Sequence, residues 1–482
     1  MRFRFFRDDL CNCCGLCFER CPVLQLPEEE AKREIRALIR GDAEASLVLQ
    51  WCTTCNTCDL VCPVQANPYE LILERWEQQC QATGLPAITR FVFPNESLNI
   101  WSSLRVLMGE DELSLLDSWR ENIDHCGKTV LLTGFYTNLV PYVAMTPLLG
   151  ELKPAIAGFE GFWGCAGDAY KLGMMTAAEE IAGMLQTKFS ERGIEKIYCL
   201  MGAEAMMLMD VLPRRFGADF GFCHPEPLDY WILDKLKSGG IEVKRKLNLK
   251  VAVHDNCTSK YAGGRLQEVM RETMERIGCE IVEMRHNRES ALCCGWAATI
   301  LSLHGFVSGN ALVTLLNLLE ALYRRLQEAE ATGAGIMVVS CHACYLFLSV
   351  IKVLTDSKID IYLSQELVEM AAGETPFHRN ERRAWDLIAA FTHVLFRWLF
   401  IPEERRRFFP RPVKMEPLAR INPADARRVR FLGRIVHSKA IQNPAVRYVI
   451  GVLVRSSINL YRRYLARKRQ SMINGRIKDF GR

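Results

Sequence analysis

The sequence of 482 residues predicts a multidomain α+β protein with three parts: a cysteine-rich helical segment, an α/β region of two repeated halves, and a basic helical extension. Two four-cysteine runs lie near the start of the chain. Farther along, short apolar, β-branched runs alternate with helical segments, which is typical of parallel α/β units. The predicted boundaries are 1–90 for the first part, 91–245 and 246–377 for the two halves, and 378–482 for the extension.

The chain contains 20 cysteines, which is unusual for a soluble protein of this length. The segment "MRFRFFRDDL" has no apolar stretch of the kind found in a signal peptide. We therefore expect a cytoplasmic protein whose cysteines bind metal, and not a secreted disulfide framework.

The two N-terminal cysteine runs share the spacing C-x2-C-x2-C-x3-C-P. They comprise Cys11, Cys14, Cys17 and Cys21 in the first run, and Cys52, Cys55, Cys58 and Cys62 in the second. In such runs, the first three thiolates bind one [4Fe–4S] cubane, and the fourth, before proline, ligates the other cluster. The predicted sets are Cys11, Cys14 and Cys17 with Cys62, and Cys52, Cys55 and Cys58 with Cys21. Zinc is the alternative, because C-x2-C pairs also bind zinc. Cys13 is expected to be a bystander.

The segment between the runs, "PEEEAKREIRALIRGDAEASLVLQW", is predicted to be helical, with Ile35, Leu38 and Ile39 on one face. With its flanking cysteines, it resembles the helical type of two-cluster ferredoxin found in succinate dehydrogenase-like iron–sulfur subunits. The resemblance implies a module that relays single electrons and has no substrate site of its own.

In the central region, "KTVLLT", "IEKIYCL", "LKVAVHD" and "GIMVVSC" predict strands, and the longest helix candidate there runs from about Gly309 to Ala331. Sites in open parallel sheets form at the carboxyl ends of strands. Five cysteines are predicted to converge at such ends and turns: Cys257, Cys293, Cys294, Cys341 and Cys344. Gly295 follows the vicinal pair and would let the backbone approach a metal with positive φ. The alternative is that the pair are small buried apolar residues.

These five cysteines form a pattern that resembles the CCG domain of the B-type and D-type heterodisulfide reductases. Relatives include the iron–sulfur subunits of glycolate and lactate oxidation and of anaerobic glycerol-3-phosphate dehydrogenase. A helical ferredoxin followed by a CCG region matches the D-type order over roughly residues 5–375. The resemblance implies that the five cysteines hold a noncubane [4Fe–4S] cluster.

The family usually has two such halves, and the first half of this chain is degenerate. "TVLLTGFYT" places Phe135 at the position of the first cysteine, Ala166 replaces the second cysteine of the pair, and Gly202 replaces the last. Cys165 and Cys199 are left and are predicted to be core thiols. We expect no cluster in this half, which would form one wall of the active site.

The resemblance implies an iron–sulfur oxidoreductase subunit that relays electrons through two cubanes to a noncubane site acting on a disulfide/thiol couple. Reductive cleavage also needs two protons, and His254, Asp255 and His342 lie beside ligand cysteines as candidate donors. The alternative for each is a hydrogen bond to a cluster sulfur or a helix cap.

No flavin or nicotinamide site and no P-loop is found in the sequence, so a redox partner subunit is expected. That partner could be a flavoprotein or a membrane cytochrome b-like protein. Two alternative functions follow. One is the electron-transfer subunit of a hydroxy-acid (lactate or glycolate) or quinone-linked dehydrogenase. The other is a non-catalytic electron relay in a membrane complex.

The segment from residue 380 onwards contains 24 Lys and Arg residues and 7 Asp and Glu residues, a net charge of +17. The rest of the chain contains 37 basic and 49 acidic residues, a net charge of −12. The segment 385–402 is apolar but too short and too polar to be expected to span a membrane. A later helix is predicted with one apolar side: Val446, Ile450, Leu453, Leu460 and Tyr464. This tail suits an anionic membrane surface, an acidic partner or the acidic body of the chain, and nucleic-acid binding is not expected. We expect peripheral association with the cytoplasmic face of a membrane.

Overall fold

The computed structural model describes residues 3–42, 46–122, 126–152, 156–157, 164–296, 311–398, 407–409 and 418–479. One continuous hydrophobic core extends from Phe3 in the N-terminal segment to Ile458 near the C-terminus. Trp76, Trp101 and Trp119 are among its largest fully buried side chains. The parts that the sequence predicts therefore pack on one another.

The N-terminal segment is helical. Its helices are α1 (Leu16–Glu19), α2 (Glu28–Arg40), α3 (Leu47–Trp51), α4 (Thr57–Leu60) and α5 (Pro68–Thr83). Helix α2 lies between the cysteine runs, where the sequence predicts a helix, and buries Ile35 and Leu38. Three glutamates in its first turn complement the helix dipole, and Gly41, with φ of 101°, ends it.

Two helices, α6 (Ile100–Arg105) and α7 (Glu110–Asn122), connect this segment to two four-stranded sheets. The first sheet contains β2 (Thr129–Leu132), β3 (Ile156–Ala157), β4 (Lys196–Cys199) and β5 (Pro225–Pro227), in the order β3-β2-β4-β5. The second contains β6 (Lys250–Val253), β7 (Glu280–Ile281), β8 (Ile336–Val339) and β9 (Asp360–Leu363), in the order β7-β6-β8-β9. All pairs are parallel, so the prediction of parallel α/β units is confirmed.

Helices connect the strands of both sheets. Those of the first sheet are α8 (Gly167–Lys171), α9 (Met175–Glu191), α10 (Gly202–Met206), α11 (Leu212–Phe216) and α12 (Leu228–Ser238), with a π-helical turn at Met207–Val211. Those of the second are α13 (Arg265–Arg276), α14 (Ala311–Glu330), α15 (His342–Thr355) and α16 (Ser364–Ala371). Helix α14 corresponds to the helix predicted at about 309–331, of which residues 309 and 310 lie outside the described residues.

The C-terminal part contributes α17 (Asn380–Trp398), α18 (Pro423–Val436) and α19 (Pro444–Asp479). A short strand, β10 (Arg407–Phe408), pairs antiparallel with β1 (Leu85–Pro86). Helix α17 packs in the core, because its side chains Leu387 and Val394 are fully buried there. Among the helices that the structure describes, none is long and apolar enough to cross a membrane. Residues 399–402 of the predicted apolar segment lie outside the described residues.

Candidate metal centres and active site

The first predicted cysteine set lies together although Cys62 is far from the others in sequence. Burial raises the pKa of the Cys17 thiol well above its ordinary value, and the neighbouring thiols of Cys11, Cys62 and Cys14 raise it further. The structure thus brings together the four cysteines that would bind one cubane. Cys13 is a fifth thiol beside them and hydrogen-bonds to Cys11.

The second predicted set lines a cavity with an empty volume of about 350 Å³. Cys21 from the first run faces Cys52, Cys55 and Cys58 from the second across this cavity. Burial raises the pKa of Cys52 and Cys58 well above the ordinary value and that of Cys21 to about 11. Because these thiols are buried, they need a cationic partner to be held as thiolates, as a metal cluster provides.

The backbone turns of the two runs are alike. Left-handed residues occupy the same two places in each run, Cys13 and Gly15 in the first and Thr54 and Asn56 in the second. Backbone amides also donate to thiol sulfurs, at 3.3 Å from Thr54 to Cys52 and at 3.3 Å from Ala66 to Cys62. Such donors stabilise a thiolate. Cys13 thus occupies a turn position equivalent to that of Thr54.

The spacing of the thiols bears on the choice between zinc and a cluster. In the part of the chain that the structure describes, no three Cys, His, Asp or Glu side chains are arranged to hold a single metal ion. Zinc needs four ligands around one ion, whereas each thiolate of a cubane binds a different iron and the four stand farther apart. The two complete runs supply eight thiolates, the number that two cubanes need.

The five cysteines of the second half converge on a larger cavity, with an empty volume of about 620 Å³. Cys257 begins a 3-10 helix after β6, Cys341 lies between β8 and α15, and Cys344 is in the first turn of α15. The Cys344 and Cys294 sulfurs are 3.5 Å apart. Cys293 hydrogen-bonds to Cys257, which links all five thiols into one cluster.

The vicinal pair is held by local geometry. Gly295 has a φ of 81°, the positive value that the sequence predicts at this position. Hydrogen bonds from the Cys293 and Cys344 thiols lower the pKa of Cys294 to about 5. These hydrogen bonds favour the thiolate of Cys294, the form that binds metal. Lys171 donates from Nζ to the Cys257 sulfur at 2.6 Å and adds a positive charge.

The first sheet supplies the opposite wall of this cavity. Its lining side chains include Tyr136, Cys165, Asp168, Met201 and Glu204. Trp296, from the second half, donates from Nε1 to the Tyr136 hydroxyl at 2.6 Å, and that hydroxyl donates to Asp168 at 2.8 Å. No cysteine motif includes Lys171, Tyr136, Asp168 or Glu204, so their place in the cavity could not be predicted from the sequence.

The strand registers correct two correspondences predicted between the halves. Tyr136, and not Phe135, begins a 3-10 helix four residues after its strand, as Cys257 does in the second sheet. Cys199 ends β4 just as Val339 ends β8. The prediction was wrong because the spacing of cysteines was compared without knowing where each strand ends.

The same register places two other residues where the last two cysteines stand in the second sheet. Met201 immediately precedes α10 as Cys341 precedes α15. Glu204, and not Gly202, is the third residue of its helix, as Cys344 is of α15. Met201 and Glu204 therefore take the places of Cys341 and Cys344 in the first sheet.

The residue of the second half to which Ala166 corresponds also differs from the prediction. It follows from where the helix after each cysteine site begins. Ala166 has a φ of 63° and directly precedes α8, as Gly295 precedes the helical residue Trp296. Ala166 therefore corresponds to Gly295, and Cys165 corresponds to Cys294.

The candidate proton donors of the sequence analysis do not line the cavity. His254 accepts from Arg325 Nε at 2.8 Å, and burial, followed by the Arg325 charge, lowers its pKa well below the ordinary value. His342 shares a 2.7 Å hydrogen bond with Thr137, and burial lowers its pKa to about 3. Asp255 accepts two hydrogen bonds from Arg271 at 2.9 Å. These contacts hold all three side chains near the strand ends and away from the cavity.

Direct contacts connect the cysteine-rich module to the larger cavity. Lys260 donates from Nζ to Thr57 at 2.7 Å and to the Ala291 carbonyl at 2.9 Å. Thr57 lies between Cys55 and Cys58 in the second run. Burial raises the pKa of Cys52, and the nearby Cys293 thiol contributes to the increase. The second cysteine set therefore lies next to the vicinal pair.

Two comparisons with family models agree with this geometry. Residues 10–67, which contain both N-terminal runs, match a 4Fe-4S dicluster domain. Residues 251–349, which contain the five convergent cysteines, match the CCG cysteine-rich domain. A search of curated proteins finds no match. The chain thus carries iron–sulfur domains, which support a redox, electron-relay role.

Proposed function

We propose that this chain is an iron–sulfur oxidoreductase similar to the D-type heterodisulfide reductases, and that it reduces a disulfide to two thiols. The observation that carries the proposal is the convergence of five thiols on one cavity beside the second cysteine set of the N-terminal module. Disulfide reduction takes two electrons, and a module with two cubane sites is suited to deliver them one at a time.

Three clusters would be held by the cysteines already described. Cys11, Cys14, Cys17 and Cys62 would hold one cubane, and Cys21, Cys52, Cys55 and Cys58 the other. Cys257, Cys293, Cys294, Cys341 and Cys344 would hold a noncubane [4Fe–4S] cluster. When bound, these clusters supply one-electron transfer.

Lys260 and Thr57 fix the position of the module relative to the cavity. Lys260 is 3% exposed, and its two hydrogen bonds reach the module on one side and the loop before Cys293 on the other. A buried contact of this kind restrains relative movement between the two groups of cysteines. These residues thus support electron transfer by keeping the separation short and constant.

The cavity suits a small organic disulfide. Met201, Met207 and Phe135 give it apolar walls, as in most small-molecule sites. A few polar groups, Lys171 among them, face the same space and would orient the substrate.

Disulfide reduction by the purified chain, with reduced viologen as the electron donor, tests the proposal. We expect the wild-type chain to reduce small disulfides and Cys344→Ser to lose this activity. Cys279→Ser is the matched control, because Cys279 is also buried but belongs to none of the three sets. A chain whose iron–sulfur centres accept electrons while no disulfide is reduced would contradict the proposal and favour the relay alternative.

We also propose that residues 91–245 and 246–377 are two versions of one half-domain, of which the second alone holds a cluster. The identical strand order of the two sheets and the equivalent positions of Tyr136 and Cys257 support this view.

We propose further that the basic C-terminal extension docks the chain on an anionic membrane surface. Helix α19 buries Gly451, Ile458 and Tyr461 on one side. Its exposed apolar side chains include Val446, Val449, Leu453, Leu460 and Tyr464, which share the opposite face by helical spacing. Exposed arginines beside this stripe, such as Arg463 and Arg467, complement anionic lipid.

A further inference from the structure

The cleavage of a disulfide in the cavity requires protons as well as electrons. The S–S bond accepts two electrons and breaks, and each sulfur takes one proton to form an S–H bond. The electrons come from the one-electron carriers of the proposed function. The histidines next to the ligand cysteines do not line the cavity, so the protons need another source.

We propose that Glu204 and Asp168, two buried carboxyl groups of the first half, are the proton donors for the two product sulfurs. The proposal rests on the disulfide reduction proposed above. The first half, which lacks a complete cysteine motif, then has a chemical role in the cavity that both halves line.

Glu204 lies in the first sheet at the position that Cys344 has in the second. It is the third residue of α10, the place that Cys344 has in α15, and both side chains line the same cavity. A carboxyl group thus faces the five thiols from the position where the other sheet has a thiol.

Two glycines lie against the carboxyl group of Glu204. A Cβ on Gly134 would lie 2.8 Å from Glu204 Oε2, and one on Gly164 would lie 2.7 Å from Oε1. Both glycines have positive φ, 80° and 57°, and leave room for the carboxyl group. A residue larger than glycine at either turn would therefore clash with the Glu204 carboxyl group.

The two carboxyl oxygens of Glu204 differ in their hydrogen bonding. Oε1 accepts from the Phe135 amide at 2.7 Å, whereas Oε2 is buried and, among the described residues, has no hydrogen-bond partner. Glu204 is 1% exposed. A buried carboxyl oxygen without a partner is costly unless it carries a proton or meets a ligand.

Asp168 lines the cavity and is also linked to it through Tyr136. The Tyr136 hydroxyl donates to Asp168, and Trp296 fixes the same hydroxyl from the other side. When Asp168 is protonated it donates to the Tyr136 oxygen, and the tyrosine hydrogen is then free for a sulfur in the cavity. Tyr136 occupies the place of Cys257 in the first sheet, so its hydroxyl faces the substrate space.

The acidities of the two groups are suited to this role. Burial raises the pKa of Glu204 to about 7 and that of Asp168 to about 6. The titratable groups that face them are Cys165, Cys199, Tyr136 and Lys171. The ammonium group of Lys171 opposes the increase at Asp168, whereas Asp168 itself contributes to the increase at Glu204. A donor with a pKa near the working pH transfers protons most effectively.

The test compares Glu204→Gln and Asp168→Asn with the matched control Glu369→Gln in the full chain, with reduced viologen as donor. Burial also raises the pKa of Glu369 to about 7, but Glu369 does not line the cavity. We expect Glu204→Gln to slow disulfide reduction by about 100-fold and to remove the pH dependence near neutrality. Bleaching of the iron–sulfur absorption by viologen should be unchanged in all three variants.

A second measurement does not depend on turnover. The infrared band of the protonated carboxyl group, followed against pH, should lose a component near pH 7 in Glu204→Gln. A Glu204→Gln variant with the wild-type rate and pH profile, or with an unchanged infrared titration, would overturn the proposal. A wild-type chain that reduces no disulfide would overturn both the proposed function and the role of the two acids. Slow turnover confined to the variants would leave the proposed function intact and support the role of the acids.

Discussion

Among single residues, His378 has an ionisation that makes the free energy of unfolding depend on pH. Its ring stacks on Tyr362 with centroids 3.9 Å apart and lies within 3.0 Å of a Glu366 oxygen and 3.5 Å of Asp360. Burial opposes its charge, but these two carboxylates raise its pKa to about 9. The charged ring joins the last strand of the second sheet to the start of α17.

This ionisation predicts a loss of stability at alkaline pH. The pKa is higher in the folded than in the unfolded chain, so the contribution is complete below about 6.5, the unfolded value, and is lost as the pH rises through 9. We expect the wild type to lose at most about 3 kcal/mol of unfolding free energy between pH 6.5 and 9.5 through this group.

Urea denaturation in pH steps measures the effect. His378→Gln should lack this part of the pH dependence. His224→Asn should retain it, because His224 is exposed and asparagine tolerates its φ of 40°. Equal pH dependence in wild type and His378→Gln would mean that the ring is neutral in the folded chain.

Single residues also mark the limit of what the sequence can predict. The convergence of the five cysteines could be predicted, because each follows a strand or turn that has a strong local pattern. The direction of a side chain could not. His254 and His342 are neighbours of ligand cysteines in the chain, yet consecutive side chains near a strand end point to different sides. Glu204 carried no signal except an acidic residue within a run of small ones, "GAEA".

Among the described elements, four of the five four-residue strands could be predicted, and the two-residue strands could not. Strands β2, β4, β6 and β8 coincide with β-branched runs, whereas β3 and β7 have two residues each and show no period. Helix α2 follows its apolar stripe. The registers that relate the two sheets depend on where each strand ends, and element ends are the least predictable feature.

The exposed stripe of α19 predicts binding to anionic vesicles. Burial of one leucine in the membrane interface is worth about 1.5–3 kcal/mol, so Leu453→Glu with Leu460→Glu should weaken binding by more than about tenfold. Co-sedimentation with vesicles of phosphatidylserine and phosphatidylcholine measures it, and salt should weaken the wild-type interaction.

Asn459→Glu is the matched control, since Asn459 is exposed on the same helix but lies off the stripe. It should bind nearly as well as the wild type. If the double variant and the wild type sediment alike, the stripe has no contact with lipid, and an acidic partner protein becomes the better interpretation.

At the scale of the whole molecule, one buried core joins an electron-relay module to a cavity formed by two sheets with the same strand order. The cysteine-rich module contacts the second sheet through Lys260 and Thr57, and the C-terminal helix returns to the module, where Arg469 donates to the Leu24 carbonyl. The basic extension is therefore not separate from the redox core. This return could not be predicted from the sequence, since charge alone allows many places for a basic helix.

The central claim is that the five convergent thiols hold a third cluster in addition to two cubanes. The iron content of the anaerobically purified chain tests it most directly. We expect about 12 iron atoms per wild-type chain, about 8 in Cys294→Ala, and about 12 in the control Cys279→Ser. About 8 iron atoms in the wild type, or an unchanged content in Cys294→Ala, would contradict the account and leave the chain with two cubanes alone.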